Sequence, residues 1–224
     1  MAQISVNEAA KHLGVVPQRV RRMIANGQVH AEKVGGRWLV EVASLPHGPR
    51  VPGRPMSPRI AWALILHGDN PADAGWLRPD EAYRLRKRIE TLSDDPDPAV
   101  RLQAWLANRA DTHHLHAQDV PAVLKDERLV PSGISDPRSQ MSAARRGEGY
   151  TRTDALEDLT LDHLLVPATP ARSNFTLHVT AIMPMRPVPE VLLAADLADR
   201  GGPRETIRSG EVFQEWLTHQ VGLR

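Results

Sequence analysis

Ile4-Ser-Val-Asn-Glu-Ala-Ala-Lys-His-Leu13, Gly14-Val-Val16 and Pro17-Gln-Arg-Val-Arg-Arg-Met-Ile-Ala-Asn26 form the stretch on which the fold of this chain turns. Ser5 can cap a helix whose third residue after the cap is Glu8, the reciprocal arrangement of a capping box. Val6, Ala9, Ala10 and Leu13 then recur at the i, i+3, i+4, i+7 spacing of one buried face. Gly14 supplies the C-terminal stop, because glycine takes the left-handed conformation without strain. Pro17 suits the first position of a second helix, where its missing N–H costs nothing. Val20, Met23 and Ile24 make the buried stripe of that helix. Gln18, Arg19 and Arg22 occupy the opposite face, with Arg21 on its flank, and Asn26-Gly27 ends it.

A hairpin follows. Val29-His-Ala-Glu-Lys-Val34 and Arg37-Trp-Leu-Val40 flank Gly35-Gly36, a two-residue turn that tolerates the positive φ angles of a tight hairpin. Lys33 and Arg37 sit beside the turn and make its tip basic, and Glu41 to Leu45 suits one closing helical turn. Two short helices and a basic hairpin are the parts of a winged helix-turn-helix. In such a unit the second helix enters a major groove, about 12 Å wide, and the wing touches the adjacent backbone.

These residues resemble a known group. The order Ser5, Glu8-Ala9-Ala10, Leu13-Gly14-Val15, Val20-Arg21-Arg22, Ile24, Gly27, then Gly35-Gly36-Arg37-Trp38, is similar to the excisionase and MerR-type winged helix-turn-helix domains. The resemblance implies DNA contact through Gln18, Arg19 and Arg22 in the second helix and Lys33 and Arg37 in the wing, with Arg21 beside them. No uninterrupted heptad stretch follows, so metal or drug sensing of the MerR kind is not implied.

Charge agrees with this division. Residues 1–54 hold eight Lys and Arg against three Glu, so a chain of net charge +1 has a positive front and a mildly negative remainder. With 224 residues there is room for two domains. The expected organisation is a winged helix-turn-helix over 1–45, a Pro-rich linker over 46–58 and an α+β domain, mostly helical, over 59–224. Pro46, Pro49, Pro52, Pro55 and Pro58 repeat every third residue, the period of polyproline II. Gly53-Arg54-Pro55 resembles the Gly-Arg-Pro core with which AT-hook arms enter minor grooves, which makes Arg54 a further candidate DNA contact.

The remainder is mixed. Ser57-Pro58 opens a helix carrying Ile60, Trp62, Leu64 and Leu66, and Pro79 to Leu92 reads as a second with Ala82, Leu85, Ile89 and Leu92 at core spacing. Asp97-Pro98 caps a third. Asn174 to Ile182 alternates strictly and is the clearest strand. A helix from Pro189 to about Asp199 ends at Gly201-Gly202, and a last one from Pro203 is expected to bury Ile207, Phe213, Trp216 and Leu217.

This remainder has a resemblance of its own. Arg54 to Leu64, Arg128-Leu-Val-Pro-Ser-Gly133, Glu148-Gly-Tyr150, Asn174 to Val179 and Ala194-Ala-Asp-Leu-Ala-Asp199 look like the C-terminal region of AbiEi-type antitoxins. That resemblance implies autorepression of an operon and a nucleotidyltransferase toxin as partner.

Other chemistry finds little support. The absence of cysteine excludes disulfides, Cys zinc sites and thiol catalysis. No apolar run reaches membrane-spanning length and no signal-peptide pattern opens the chain, so a cytoplasmic location without membrane association is expected. His113-His-Leu-His116 is the most tempting metal cluster: on a strand His114 and His116 share a side. A partly exposed polar segment is the simpler reading. Gly147-Glu-Gly149 lacks the strand–GxGxxG–helix context of nucleotide binding. Neither a P-loop nor a nucleophile elbow occurs. The expectation is a non-enzyme without cofactor or metal.

Three functions fit these observations. The first is a sequence-specific transcription regulator and repressor, reading an operator in double-stranded DNA, with a homodimer or a cognate toxin as protein partner. The second is an excisionase-like factor that bends DNA. The third is a ligand-sensing regulator with its pocket in residues 59–224.

Overall fold

The computed structural model describes residues 3–13, 15–25, 29–45, 54–92, 94–95, 98–141 and 145–222. Gly14, Asn26-Gly27, Asp97 and the linker from Pro46 to Gly53 lie outside the described residues, and with them the readings placed there. The chain divides into two compact units, Met1–Pro52 and Gly53–Arg224.

The smaller unit begins with β1 (Gln3–Ser5) and runs directly into α1 (Val6–His12). The capping box forms as expected. The Ser5 N–H donates to the Glu8 carboxylate at 2.8 Å, and the Glu8 N–H donates to the Ser5 hydroxyl oxygen at 3.2 Å. These bonds to Ser5 hold the Glu8 carboxyl below its usual range. After α2 (Pro17–Ala25) come β2 (Ala31–Val34) and β3 (Arg37–Glu41), then a single 3-10 turn at Val42–Ser44. The sheet order is β1-β3-β2, antiparallel throughout. Pairing of β1 with the far side of β3 is not legible in the sequence, since three residues carry no periodicity. Val6, Ala9, Ala10 and Leu13 from α1 pack with Val20 and Met23 from α2 and Val40 from β3 into one small core.

The larger unit starts at the end of the proposed linker. Met56 is buried and its N–H donates to the Trp105 carbonyl, so the residues just before Pro58 belong to this unit rather than to a spacer. Three helices follow, α3 (Pro58–His67), α4 (Pro79–Leu92) and α5 (Pro98–Leu106), with the starts that their prolines set. Next come β4 (Asp111–His116), α6 (Val120–Lys125), β5 (Leu129–Pro131) and β6 (Gly147–Arg152). The chain continues through α7 (Leu156–Asp162), β7 (Val166–Pro167) and β8 (Phe175–Thr180), and ends in α8 (Glu190–Arg200) and α9 (Pro203–Gly222).

The second sheet has the order β5-β6-β8-β4-β7. Its β6–β8 pair is parallel and the others are antiparallel. Gly147 permits the close approach of these two strands: a Cβ there would stand 2.3 Å from the Phe175 ring. One face of the sheet is apolar. Leu115, Phe175, Leu177 and Val179 pack there with Val120 and Val123 of α6 and Leu159 of α7. The other face turns toward α8 and is polar, because the register aligns Thr112 with His178, His178 with Tyr150 and Thr176 with Glu148. The strict alternation of β8 predicts one wet face, yet His178 is only 3% exposed. Helices cover both sides.

One core expectation fails. Ile207 is 66% exposed, whereas Val212, Phe213 and Trp216 are buried. Nine residues before Trp216, at about 100° per residue, Ile207 projects from the side of α9 opposite that buried ring. Its apolar character alone does not place it inside.

Candidate functional site

On α2 the buried positions are Val20 and Met23. Gln18, Arg21 and Arg22 are exposed, while Arg19 is half-buried at the edge of the core face. Gln18 and Arg22 stand one turn apart, and Arg21 flanks them. The outward surface is thus made by Gln18, Arg21 and Arg22, with Arg19 set toward the protein.

The wing turn is tight because Gly35 and Gly36 take φ of +55° and +82°. Register then separates the two wing cations. Lys33 lies opposite Trp38 and Val34 opposite Arg37. Strand alternation therefore puts Lys33 and Trp38 on the face that carries Ala31 and Val40, and Arg37 with Val34 on the other. Trp38 remains 38% exposed beside Lys33. It was absent from the sequence-predicted contacts, although an aromatic next to a basic hairpin tip is itself a signal. Arg54 is exposed in the larger unit, and no described contact engages it.

Pairing separates these cations from many of the arginines of the larger unit, though Arg54, Arg88, Arg145, Arg146, Arg172 and Arg204 also lack a carboxylate partner among the described residues. In the larger unit Arg59, Arg84, Arg109, Arg128, Arg138, Arg152, Arg200 and Arg208 each meet a carboxylate. Among the described residues Arg19, Arg21, Arg22, Lys33 and Arg37 form no ion pair and no side-chain hydrogen bond.

The larger unit holds a second polar assembly, which sequence reading missed. Arg109 donates to Asp196 and Asp199, and Tyr150 donates to the same Asp196 oxygen at 2.7 Å. The Ser132 hydroxyl donates to the other oxygen of Asp196. Burial, reinforced by Asp196, pushes the Tyr150 hydroxyl far above its ordinary value. Beside it, Glu148 accepts from His178 Nε2 at 3.0 Å and from Arg200 Nε at 2.7 Å. His178 Nδ1 meets the Thr112 hydroxyl at 3.2 Å, and the imidazole stacks on Tyr150 with centroids 4.8 Å apart. Burial works against ionisation of Glu148, but His178 and Arg200 outweigh it and hold its carboxyl below the usual range. No local pattern in the sequence marks these residues as one group. Only the sheet register and α8 bring them together.

Ligand atoms of Glu148, His178 and Asp196 lie within 4.8 Å of one another, close enough to surround a cation. Their lone pairs are already taken, Glu148 by Arg200 and Asp196 by Arg109, Tyr150 and Ser132. A metal would have to displace two guanidinium groups, so the donor set does not fit one. His114 and His116 share a face of β4, as alternation requires, with His114 half-buried and His116 exposed.

The family model for a helix-turn-helix domain matches residues 4–45, a span that takes in α1, α2 and the whole hairpin. The chain therefore carries an N-terminal helix-turn-helix DNA-binding domain of the excisionase-like kind. It is also 27% identical over 146 residues to a probable plasmid-partitioning protein ParA of Thermus thermophilus. That match covers 63% of this chain and 42% of the relative. The chain thus spans about two fifths of the length of that curated relative, and so long a match has to reach well into the larger unit. No solved structure matches the chain. Among the described residues no helix is long and apolar enough to cross a membrane.

Proposed function

We propose that the protein is a sequence-specific transcription regulator that represses its own operon. The observation that carries this reading is the exposed set Gln18, Arg21 and Arg22 on α2, free of carboxylate partners among the described residues, inside a unit matched as a helix-turn-helix domain. Unpaired cations keep their charge available for phosphates and base edges, where Arg recognises guanine through two parallel hydrogen bonds. Lys33 and Arg37, one on each face of the hairpin, add phosphate contacts from the wing.

One such head buries only ~600–1,000 Å² of protein surface, little for tight specific binding, so two copies on repeated half-sites are part of the proposal. The resemblance of the remainder to AbiEi-type antitoxins supports a further step, in which the larger unit holds a nucleotidyltransferase toxin. In this reading the chain performs no catalysis itself and works inside the cytoplasm.

The test is binding of the full chain to a labelled fragment of its own promoter, followed by fluorescence anisotropy and footprinting. A protected site that competes at least about 10³-fold better than unrelated DNA is expected, the lower end for specific readers. Equal affinity for promoter and unrelated DNA would refute sequence-specific repression.

The likeness to a probable plasmid-partitioning protein favours a second reading, a DNA-bound role in plasmid partitioning. Deleting the gene separates the two. Repression predicts a rise in transcript from its own promoter, and partitioning predicts faster loss of a plasmid that carries it.

A further inference from the structure

The polar face of the second sheet opens into a cavity of about 550 Å³, lined by residues of β4, β6 and β8 and by the segment between α8 and α9. That size lies within the ~300–1,000 Å³ range of small-molecule sites. A sheet covered on both faces folds most readily around apolar side chains. Burying Glu148 and His178 here carries a desolvation cost that pairing only offsets.

Most polar groups on the wall are already committed. Both Glu148 oxygens are taken. The Asn174 amide is spent on the backbone of Ala117, and Asp199 receives Arg109 and Gln103. What stays open is of one kind. Arg200 uses Nε on Glu148, and no contact among the described residues takes its Nη atoms. His114, Arg146 and Thr176 also line the cavity, and none of them has a side-chain partner among the described residues. Against these donors stands one uncommitted acid, Glu205.

We propose that this cavity binds a small molecule carrying an oxyanion, phosphate or carboxylate, held by Arg146, His114 and the outer nitrogens of Arg200. Thr176 donates a further hydrogen bond. Glu205, also on the wall, accepts from a hydroxyl or amino group of the same ligand. The volume, that of a small-molecule site, is the ground for taking a free small molecule as the occupant. The proposal is independent of DNA recognition by the smaller unit.

The probes are inorganic phosphate and malonate, added to the full chain while its thermal unfolding is followed, with sodium chloride at matched ionic strength as reference. A saturable rise in midpoint is expected for at least one probe. His114→Asn/Arg146→Gln, two rim residues with no described partner, should weaken the apparent affinity by at least about tenfold while leaving the far-ultraviolet spectrum unchanged. Arg21→Gln/Arg22→Gln should leave the rise intact, which separates the cavity from anions gathered on α2. Malonate without phosphate, or the reverse, would identify the oxyanion. The proposal is overturned by no saturable rise with either probe, by an equal rise in the rim variant, or by a rise lost when Arg21 and Arg22 are replaced.

Discussion

Arg109 and Asp196, 87 residues apart in the chain, form a buried ion pair in which Nη2 stands 2.7 Å and Nε 3.1 Å from the same carboxylate oxygen. Arg109 is 3% exposed and Asp196 is fully buried. The pair ties the turn after α5 to the middle of α8. Removing one partner from such a pair typically costs about 3–5 kcal/mol, because the other charge is left buried. Asp196→Ala should lower the unfolding free energy by about that amount in urea. Asp199→Ala should cost about 1 kcal/mol or less, since that carboxylate is partly in water. An Asp196→Ala chain as stable as wild type would show that the pair is not what anchors α8.

On α2 the exposure pattern separates arginines that look equivalent in sequence. Arg22→Ala should weaken promoter binding by ~1–3 kcal/mol and relax the preference at one base position, with little change in thermal stability. Arg19 is half-buried, so Arg19→Ala should lower the midpoint of the smaller unit as well as its affinity. Anisotropy titrations beside melting curves resolve the two. If both variants bind the promoter as wild type does, this helix is not the reading element.

In the wing, Lys33 and Arg37 project from opposite faces of the hairpin. They should act on phosphates rather than bases. Replacing either with Ala is expected to reduce the slope of log K against log salt by about 1 while sequence preference holds. Titrations across a range of salt concentrations provide the slope. An unchanged slope would remove that residue from the interface.

Glu81 carries a pH signature. Its hydrogen bond from Arg59, helped by the Arg78 N–H, holds its carboxyl at about 2, against an ordinary 4.5. A carboxylate with a depressed folded pKa stabilises the protein above the ordinary value, and that contribution fades as pH falls toward the folded one. Wild type should therefore exceed Glu81→Gln in stability at neutral pH, and the gap should close between about pH 4.5 and pH 2. Acid titrations of the two chains, followed by circular dichroism, check both sign and window. A gap that widens toward acid would contradict the arrangement.

The smaller unit was largely legible because local rules set it: the Ser5–Glu8 capping box, Pro17 at a helix start, and Gly35-Gly36 at positive φ. In the larger unit the starts of α3 and α4, the stop at Gly201 and the strand around Phe175 followed from similar signals. The rest depends on contacts between distant residues. No local pattern tells that β6 runs parallel to β8, or that His178 lies against Tyr150. Nothing local marks Glu148 and Asp196 as buried, because burial of a carboxylate is decided by partners elsewhere in the chain. Ile207 erred the other way, an apolar side chain whose helix phase turns it outward.

The order of the second sheet also bears on how the chain is made. Both strands that flank β4, namely β8 and β7, lie after it in sequence. At about 5–20 residues per second, β4 leaves the ribosome several seconds before either neighbour exists. A strand with two unpaired edges invites association with other nascent chains. Here that strand is Asp111-Thr-His-His-Leu-His116, in which Leu115 is the lone apolar side chain. Its three histidines and hydroxyl leave it poor in the apolar side chains that drive such association.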